Sequence, residues 1–368
     1  MKKLSAYSPI KMGLFILVLF TTTLAQDSDT LNIPRLEREI GQMIMVGIRG
    51  THLNSDAMEQ TRRQITQGEI GGIIFFKHNI KNSRQFRIFV ESISRLEAPL
   101  PLFLAVDEEG GRVRRLKKAQ GFVEFPSAAS IGSKMDTVVA RDTYRGMAEQ
   151  IANSGLNCNL APVVDVNVNR VSPAIGQLNR SFSRKPETVV EFANIFIQEH
   201  RKRGVLTTLK HYPGHGSSRE DTHNDLTDIT YTWRDSEKIP FQTLIDSSMV
   251  DMIMAGHLYD KKKDKRYPAS LSHAHIQETL RDELGYKGVV SDDMQMGAII
   301  KRYKLEEIVL AAVRSGSDII QFSDPLDLDP DLPATIRAII IGAIRDGRLE
   351  AQAVHDAYER IHSLKQKL

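Results

Sequence analysis

A single cysteine in 368 residues rules out an intrachain disulfide. That residue, Cys158, lies in the apolar stretch LNCNLAPVV, where a lone thiol packs as a small hydrophobe. Long hydrophobic runs are missing too. The most apolar segment, MGLFILVLF at 12–20, is far shorter than the roughly 20 residues that cross a bilayer. Preceded by Lys2, Lys3 and Lys11 and followed by TTTLAQ, it reads as a secretory signal peptide over residues 1–25, cleaved after Ala25. No cysteine follows it to carry a lipid anchor. The expected mature chain is periplasmic or secreted, with no stable membrane insertion after cleavage.

An excess of one charge is also lacking. The formal net charge of +3 is matched by those three lysines, so it falls to zero when residues 1–25 are removed. A neutral chain offers no electrostatic footprint for nucleic acid, and the run DKKKDKR at 260–266 reads as a solvated loop. There is no glycine-rich dinucleotide fingerprint after the first apolar run, no internal repeat and no Pro/Gly/Ser-rich linker. One domain over 26–368 is the expectation.

What is present is an alternation. Eight short apolar runs stand out: IGQMIMVGI (40–48), IGGIIFF (70–76), PLFLAVD (101–107), LNCNLAPVVDV (156–166), VLTTLKH (205–211), VDMIMAGH (250–257), KGVVSDD (287–293) and SDIIQFS (317–323). Between them lie amphipathic stretches such as SRQFRIFVESISRL, PETVVEFANIFIQEHRKRG, HIQETLRDELG and LEEIVLAAVRSG, several ending on glycine as helix C-termini prefer. Eight strands alternating with helices predict an α/β fold, a single (β/α)8 TIM-type barrel. In that architecture the loops leaving the C-terminal strand ends build the active site. The polar residues at those ends are Asp107 with EEGGR, Asp165, Lys210 with His211, His257, and Asp292 with Asp293. They are predicted to converge on one mouth.

The densest segment is KHYPGHGSSREDTH at 210–223, which holds three of the eleven histidines. His211 and His215 have the i,i+4 spacing of a zinc helix, and HAH at 273–275 mimics a metal-dependent amidohydrolase signature. Pro213 and Gly214 break any helix between the first pair. SLSHAHIQETL reads as a serine-capped helix start away from any strand end. No metal is therefore expected. Acid–base chemistry remains: Asp221 is spaced to hold the imidazole of His223 in one tautomer and to stabilise its charged form. Asp292 offers a second carboxylate across the mouth. An acid/base group facing a carboxylate nucleophile, roughly 5 Å apart, is the arrangement of a retaining glycosidase. The competing reading is a polar loop that holds both residues without chemistry. With two glycines and two serines, GHGSSRED at 214–221 predicts a mobile loop that closes over substrate.

Over nearly the whole mature chain these stretches resemble glycoside hydrolase family 3, in particular its NagZ-type β-N-acetylglucosaminidases. The segment at 210–223 fits K-H-[FI]-P-G-x-G-x4-D-[ST]-H with Tyr212 as a conservative departure. VDEEGGRVRRL resembles D-x-E-G-G-R-V-x-R, and IGQLNRSF resembles G-x-x-x-R-[SA]-F. The resemblance implies that His223 is the general acid/base and Asp221 its orienting partner. It also implies that Asp107, Arg115, Arg180, Lys210 and His211 bind the sugar. GYKGVVSDDMQM resembles the segment carrying the nucleophile, which would be Asp292. That segment has one apolar residue fewer than family members usually carry after Gly288. One residue exchanges the faces of Asp292 and Asp293 unless a bulge absorbs it.

The function so implied is an exported β-N-acetylhexosaminidase acting on muropeptides or other amino-sugar glycans without metal or organic cofactor. Two alternatives stay open: a phosphorylase, because a neutral histidine does not repel phosphate as a carboxylate would, and a non-catalytic carbohydrate-binding barrel. Family 3 β-glucosidases resemble two-domain proteins with the acid supplied from the second domain, whereas the acid candidate here lies in a barrel loop. Among the remaining polar residues, Glu109 is expected to pair with Arg112, Asp165 to tie its strand end to a neighbour, His257 to be a hydrogen-bonded mouth residue, and His215 to stabilise its loop.

Overall fold

Each of the eight runs contains a strand in the computed structural model, which describes residues 32–134, 136–323 and 331–368. The signal-peptide segment read at 1–25 lies outside the described residues. The strands are β1 (Ile44–Gly47), β2 (Gly72–Phe75), β3 (Phe103–Val106), β4 (Cys158–Asn159), β5 (Leu206–Tyr212), β6 (Met252–Ala255), β7 (Val289–Ser291) and β8 (Ile320–Phe322). They pair in parallel in the order β8-β1-β2-β3-β4-β5-β6-β7. A bridge between Val290 and Ile319, with Ser291 N donating to Ile319 O at 2.9 Å, brings β7 against β8 and nearly closes the barrel. The strands are buried on both faces, inward against the barrel core and outward against helices. Their sequences therefore read as continuous apolar runs rather than as alternation.

The outer layer comprises α1 (Ile33–Gln42), α2 (Glu59–Thr66), α3 (Ser83–Ser94), α4 (Ala128–Lys134), α5 (Thr137–Asn153), α6 (Pro186–Arg201), α7 (Ile239–Asp246), α8 (Ala274–Glu283), α9 (Gly297–Ile300), α10 (Leu305–Ser315), α11 (Leu332–Arg345) and α12 (Ala351–Lys365). In α3 the Asn82 side chain caps the start by accepting from Gln85 N, and Phe86, Phe89, Val90 and Ile93 form the buried stripe at helical spacing. α10 stops at Gly316, whose φ of +97° suits a residue without Cβ. The stretch HIQETLRDELG winds more widely than an α-helix, with Leu284 N bonded to Thr279 O at 3.0 Å. Residues 40–42 of the first apolar run belong to α1 and not to a strand. Ile40 is fully buried because the helix docks its apolar stripe inward, so helix end and strand start fuse into one apolar string.

Candidate active site

At the C-terminal ends of the strands lies a cavity of about 380 Å³, a volume ordinary for a small-molecule site. Asp107, Arg115, Arg180, Lys210, His211, Asp221, His223 and Asp292 all line it, whereas Asp165 and His257, also expected at this mouth, are fully buried and do not line it. A larger cavity of about 680 Å³ opens between Arg201, Asp251 and Lys287 at the opposite end of the barrel. Strand starts line it, the end that serves stability rather than chemistry in this architecture.

The floor of the upper cavity is an ion network. Asp107 accepts from Lys210 Nζ at 2.8 Å and from Arg115 Nη2 at 3.0 Å. Glu109 accepts from Arg180 Nε and Nη2, both at 2.8 Å, and meets Lys210 Nζ at 2.8 Å. Burial alone would push both carboxyls up, but the adjoining cations outweigh it and hold both below the usual carboxylate range. Lys210 is raised in turn, because Asp107 and Glu109 overcome its desolvation. Glu108 behaves differently. Its Oε2 accepts from the backbone N–H groups of Arg115 and Leu116, and burial lifts its pKa to about 7. Glu108 thereby fixes the backbone from which Arg115 reaches Asp107.

Lys210 and His211 are consecutive, and strict strand alternation would send them to opposite faces. Between Leu209 and Tyr212 the pairing with β6 slips: Leu209 lies opposite Ile253, yet Tyr212 lies opposite Ala255. That extra residue is a bulge, and both side chains line the cavity. Arg180 Nη2 donates to His211 Nε2 at 3.2 Å, which leaves the Nδ1–H of His211 for Asp165 at 2.8 Å. Asp165 is fully buried and also accepts from the backbone N–H groups of His211 and His215. Burial would raise its pKa, and the His211 contact brings it down.

The loop that follows has two halves. Residues 211–218 are buried, whereas Arg219, Glu220, His223, Asn224 and Asp225 are exposed. The root is clamped: Asn169 N donates to Gly216 O at 2.9 Å, Ser217 N to Glu237 Oε2 at 3.0 Å, and Trp233 Nε1 to Pro213 O at 2.9 Å. A Cβ on residue 216 would collide with the carbonyl of Val166. The sequence suggested mobility across 214–221, but Gly216 serves close backbone approach, and its glycine–serine neighbourhood is packed through Ser218. Beyond the root, Asp221 Oδ1 accepts from both His223 N at 3.0 Å and His223 Nδ1 at 2.8 Å. This bond raises the His223 pKa against the opposing effect of burial, and it pulls Asp221 well below its usual value. The imidazole stays 68 % exposed while Asp221 is 23 % exposed. Carbonyls of Thr222 and His223 accept from Ala298 N and Gly297 N, both at 3.2 Å, which docks the dyad onto the start of α9, at the end of the turn that follows β7.

That turn carries the two adjacent carboxylates. Asp292 N donates to Ala255 O at 3.0 Å, and Asp292 Oδ1 accepts from Asp293 N at 2.8 Å. Burial would raise Asp292, but His257, His211 and His223 hold it below the usual range. Asp293 Oδ1 accepts from Gln295 N and Ser323 N, both at 3.0 Å, and burial lifts this carboxyl to about 6. One carboxylate thus ties β7 to β8 while its neighbour is held low by surrounding imidazoles. His257 hydrogen-bonds Ser270 Oγ at 2.6 Å and Asp293 O at 2.8 Å, and His215 hydrogen-bonds Ser218 Oγ at 2.7 Å.

One pairing read from sequence is corrected. Glu109 engages Arg180 and Lys210, and Arg112 is exposed. A partner three residues away is visible in a sequence; partners on other strand ends are not. Sequence reasoning also missed the apolar wall of Phe76, Leu178, Met254 and Met296, and Gln321 of β8 with Ser323 just beyond its end. For Gln321 a signal existed, a lone amide inside an otherwise apolar run. Among the described residues no group of three His, Cys, Asp or Glu side chains is arranged to hold a metal.

Residues 35–364 match the family described as Glycosyl hydrolase family 3 N terminal domain. A Beta-hexosaminidase of Stenotrophomonas maltophilia is 33% identical over 302 residues, 79% of this chain and 86% of that protein. Beta-hexosaminidase A of Pseudoalteromonas piscicida is 30% identical over 331 residues, covering 83% of this chain and 54% of that protein. The chain therefore spans about half the length of the latter relative. Among solved structures, a glycoside hydrolase family 3 beta-N-acetylglucosaminidase from Paenibacillus sp. superposes with a TM-score of 0.82 at 30% identity, over 90% of this chain and 62% of that one.

Proposed function

The chain belongs to glycosyl hydrolase family 3, and on that premise we propose that it is an exported, retaining β-N-acetylhexosaminidase. Its substrates are terminal β-linked N-acetylglucosamine residues of peptidoglycan fragments or other amino-sugar glycans. The observation that carries this reading is the pairing, in one cavity, of a His–Asp dyad with a separately held carboxylate above a floor of buried hydrogen-bonding groups. The names of the relatives and of the structural neighbour support the amino-sugar class. The short apolar segment behind three lysines supports export.

Asp292 attacks the anomeric carbon, and the bond to the glycosidic oxygen breaks as the bond to the carboxylate forms. His223, its Nδ1–H held by Asp221, gives a proton from Nε2 to the departing oxygen. The neutral imidazole then takes a proton from water, which attacks the same carbon, frees Asp292 and leaves the configuration retained. Lys210, Arg115 and Arg180 donate to sugar hydroxyls, Asp107 accepts from them, and His211 is oriented by Asp165. A histidine starts nearer neutrality than a carboxylic acid and so needs little burial to carry this proton, which suits its exposed position.

Incubation with a 2-acetamido-2-deoxy-5-fluoro glycoside, followed by peptide mapping, is expected to find the label on Asp292 within GVVSDDMQM. A label on Asp293 would move the nucleophile by one residue. Turnover in phosphate buffer that yields a sugar 1-phosphate would make the enzyme a phosphorylase. Failure to cleave any chromogenic β-N-acetylglucosaminide would leave a binding barrel.

A further inference from the structure

His215 lines the cavity, yet no step of the proposed reaction runs through it. The residue is 2 % exposed, and its ring stands edge-on to that of His211, with centroids 5.6 Å apart. Its backbone N–H donates to Asp165 Oδ1 at 2.7 Å. The ring itself sits in a buried chain of hydroxyls. Ser172 Oγ, on the segment after β4, meets Ser218 Oγ at 3.0 Å, and Ser218 Oγ meets His215 Nδ1 at 2.7 Å. On the other side His215 Nε2 meets Thr222 Oγ1 at 3.4 Å, the longest link. Ser172, Ser218 and Thr222 are all buried.

Thr222 stands between Asp221 and His223, and from Arg219 to Asp225 it alone is buried. Other ties hold this stretch from α9: its backbone bonds to Gly297 and Ala298, Lys301 reaches Asn224 O, and Arg302 pairs with Asp225. Among the described residues, the Thr222 side chain is the one that hydrogen-bonds the stretch to the clamped root. Either direction of the hydroxyl protons satisfies both nitrogens of a neutral imidazole. Burial, aided by His211 and Arg180, brings the His215 pKa down to about 4, although Asp165 pulls the other way. Among the described residues no carboxylate meets its ring nitrogens, while Asp221 lies close enough to feel any charge it carries. A cationic residue here would compete with His223 for that carboxylate. A neutral one leaves the dyad intact.

We propose that His215 is a positioning residue for the dyad, a neutral strut that carries the fixed geometry of the root through Thr222 to Asp221 and His223. The proposal rests on the glycosidase reading above and deepens it. His215 acts through Thr222 and not on the proton in transit. Without it the root stays clamped through Gly216 and Ser217, but the stretch that bears the acid keeps only its ties to α9.

The test compares wild type, His215→Ala, His215→Gln, Thr222→Val, His223→Ala and the double variant H215A/H223A on β-N-acetylglucosaminides with a poor and an activated leaving group. His215→Ala is expected to lose about 10–100-fold in kcat/KM on the poor leaving group and little on the activated one, since a misplaced acid matters only where a proton is needed. The loss should fall on kcat, with KM little changed. Thr222→Val, which removes the hydroxyl and keeps the shape, should lose about three- to tenfold in the same pattern. His215→Gln, which keeps a donor toward Thr222, should recover most of the activity. H215A/H223A should be no slower than His223→Ala, because the strut then has no acid to position. Equal losses on both glycosides, or losses that multiply in the double variant, would overturn the proposal. If His215→Ala does not fold, Thr222→Val decides, and a wild-type profile there would overturn it.

An NMR titration of the His223 ring gives a reading that needs no turnover. The Asp221 hydrogen bond raises its pKa first and Asp292 further, while burial and Arg180 oppose them. In His215→Ala the value is expected to fall toward the ordinary 6.5 or so as the dyad loosens, and in His215→Gln to stay. An unmoved pKa in His215→Ala would overturn the strut. If wild type cleaves nothing, the glycosidase reading falls by itself, and this titration alone judges the strut.

Discussion

The floor of the cavity and its lip solve opposite problems. On the floor, Asp107, Glu109, Asp165, Arg180, Lys210 and His211 come from several strand ends and are locked to one another in near-complete burial. At the lip, Asp221 and His223 come from a single stretch, and the imidazole meets solvent. If the floor orients the sugar, as proposed, its groups gain from being fixed beforehand, because ordering them afterwards would consume binding energy. In the proposed mechanism His223 delivers and recovers a proton, for which contact with water is an advantage, and its pKa is raised first by the Asp221 hydrogen bond and further by Asp292.

The sharpest contrast is expected from the carboxylate between the two regions. Asp292→Ala should lower turnover on the order of 10⁴-fold or more with an unchanged thermal melt, while Asp293→Ala retains measurable activity. The reverse result would place the nucleophile one residue later. Next in size is the lip itself. His223→Ala should cost about 10²–10⁴-fold on glycosides with poor leaving groups and little on activated ones, which need no proton. Equal losses on both would remove His223 as the acid.

For the floor, Glu109→Gln leaves Arg180 and Lys210 buried without their carboxylate and should cost about 3–5 kcal/mol in urea unfolding. Glu109 is depressed in the folded state, so its contribution is present above the unfolded pKa of about 4.3 and is lost as pH falls through the folded value. Wild type should therefore lose stability in acid more steeply than the variant. A smaller effect belongs to Asp221→Asn. The bond to Asp221 raises the His223 pKa, so the protonated acid persists above the ordinary 6.5 or so, and the alkaline limb of kcat/KM should move down in the variant. An unmoved limb would assign it to another group. The smallest effect is in hydrogen exchange, where amides of 214–218 should exchange more slowly than those of 219–225.

Much of the fold was legible because strands buried on both faces are written as uninterrupted apolar runs, and all eight were readable. The lip was legible for a similar reason: Asp221 and His223 are two residues apart, and their contact is local. The floor was legible as a set of residues but not as a set of bonds. Glu109 and Arg180 are separated by 71 positions, and Lys210 from Asp107 by 103. Nothing local reveals that a bulge turns both Lys210 and His211 inward, or that Glu108 binds backbone while Glu109 binds cations. The long run at 156–166 likewise hid its division: Cys158–Asn159 forms the strand, Val163 meets β5 again through an isolated bridge to Lys210, and the chain then delivers Asp165 to His211.

The clamp at Gly216 makes the proposed acid a replaceable part. Because Val166, Asn169, Trp233 and Glu237 hold the loop up to Ser218, the segment from Arg219 to Asp225 is a cassette with a fixed mounting. Under the proposed mechanism, the acid is open to exchange there, histidine for a carboxylic acid included, while the buried floor residues keep their mutual bonds. An engineer who wanted a different leaving group or a different working pH would cut there.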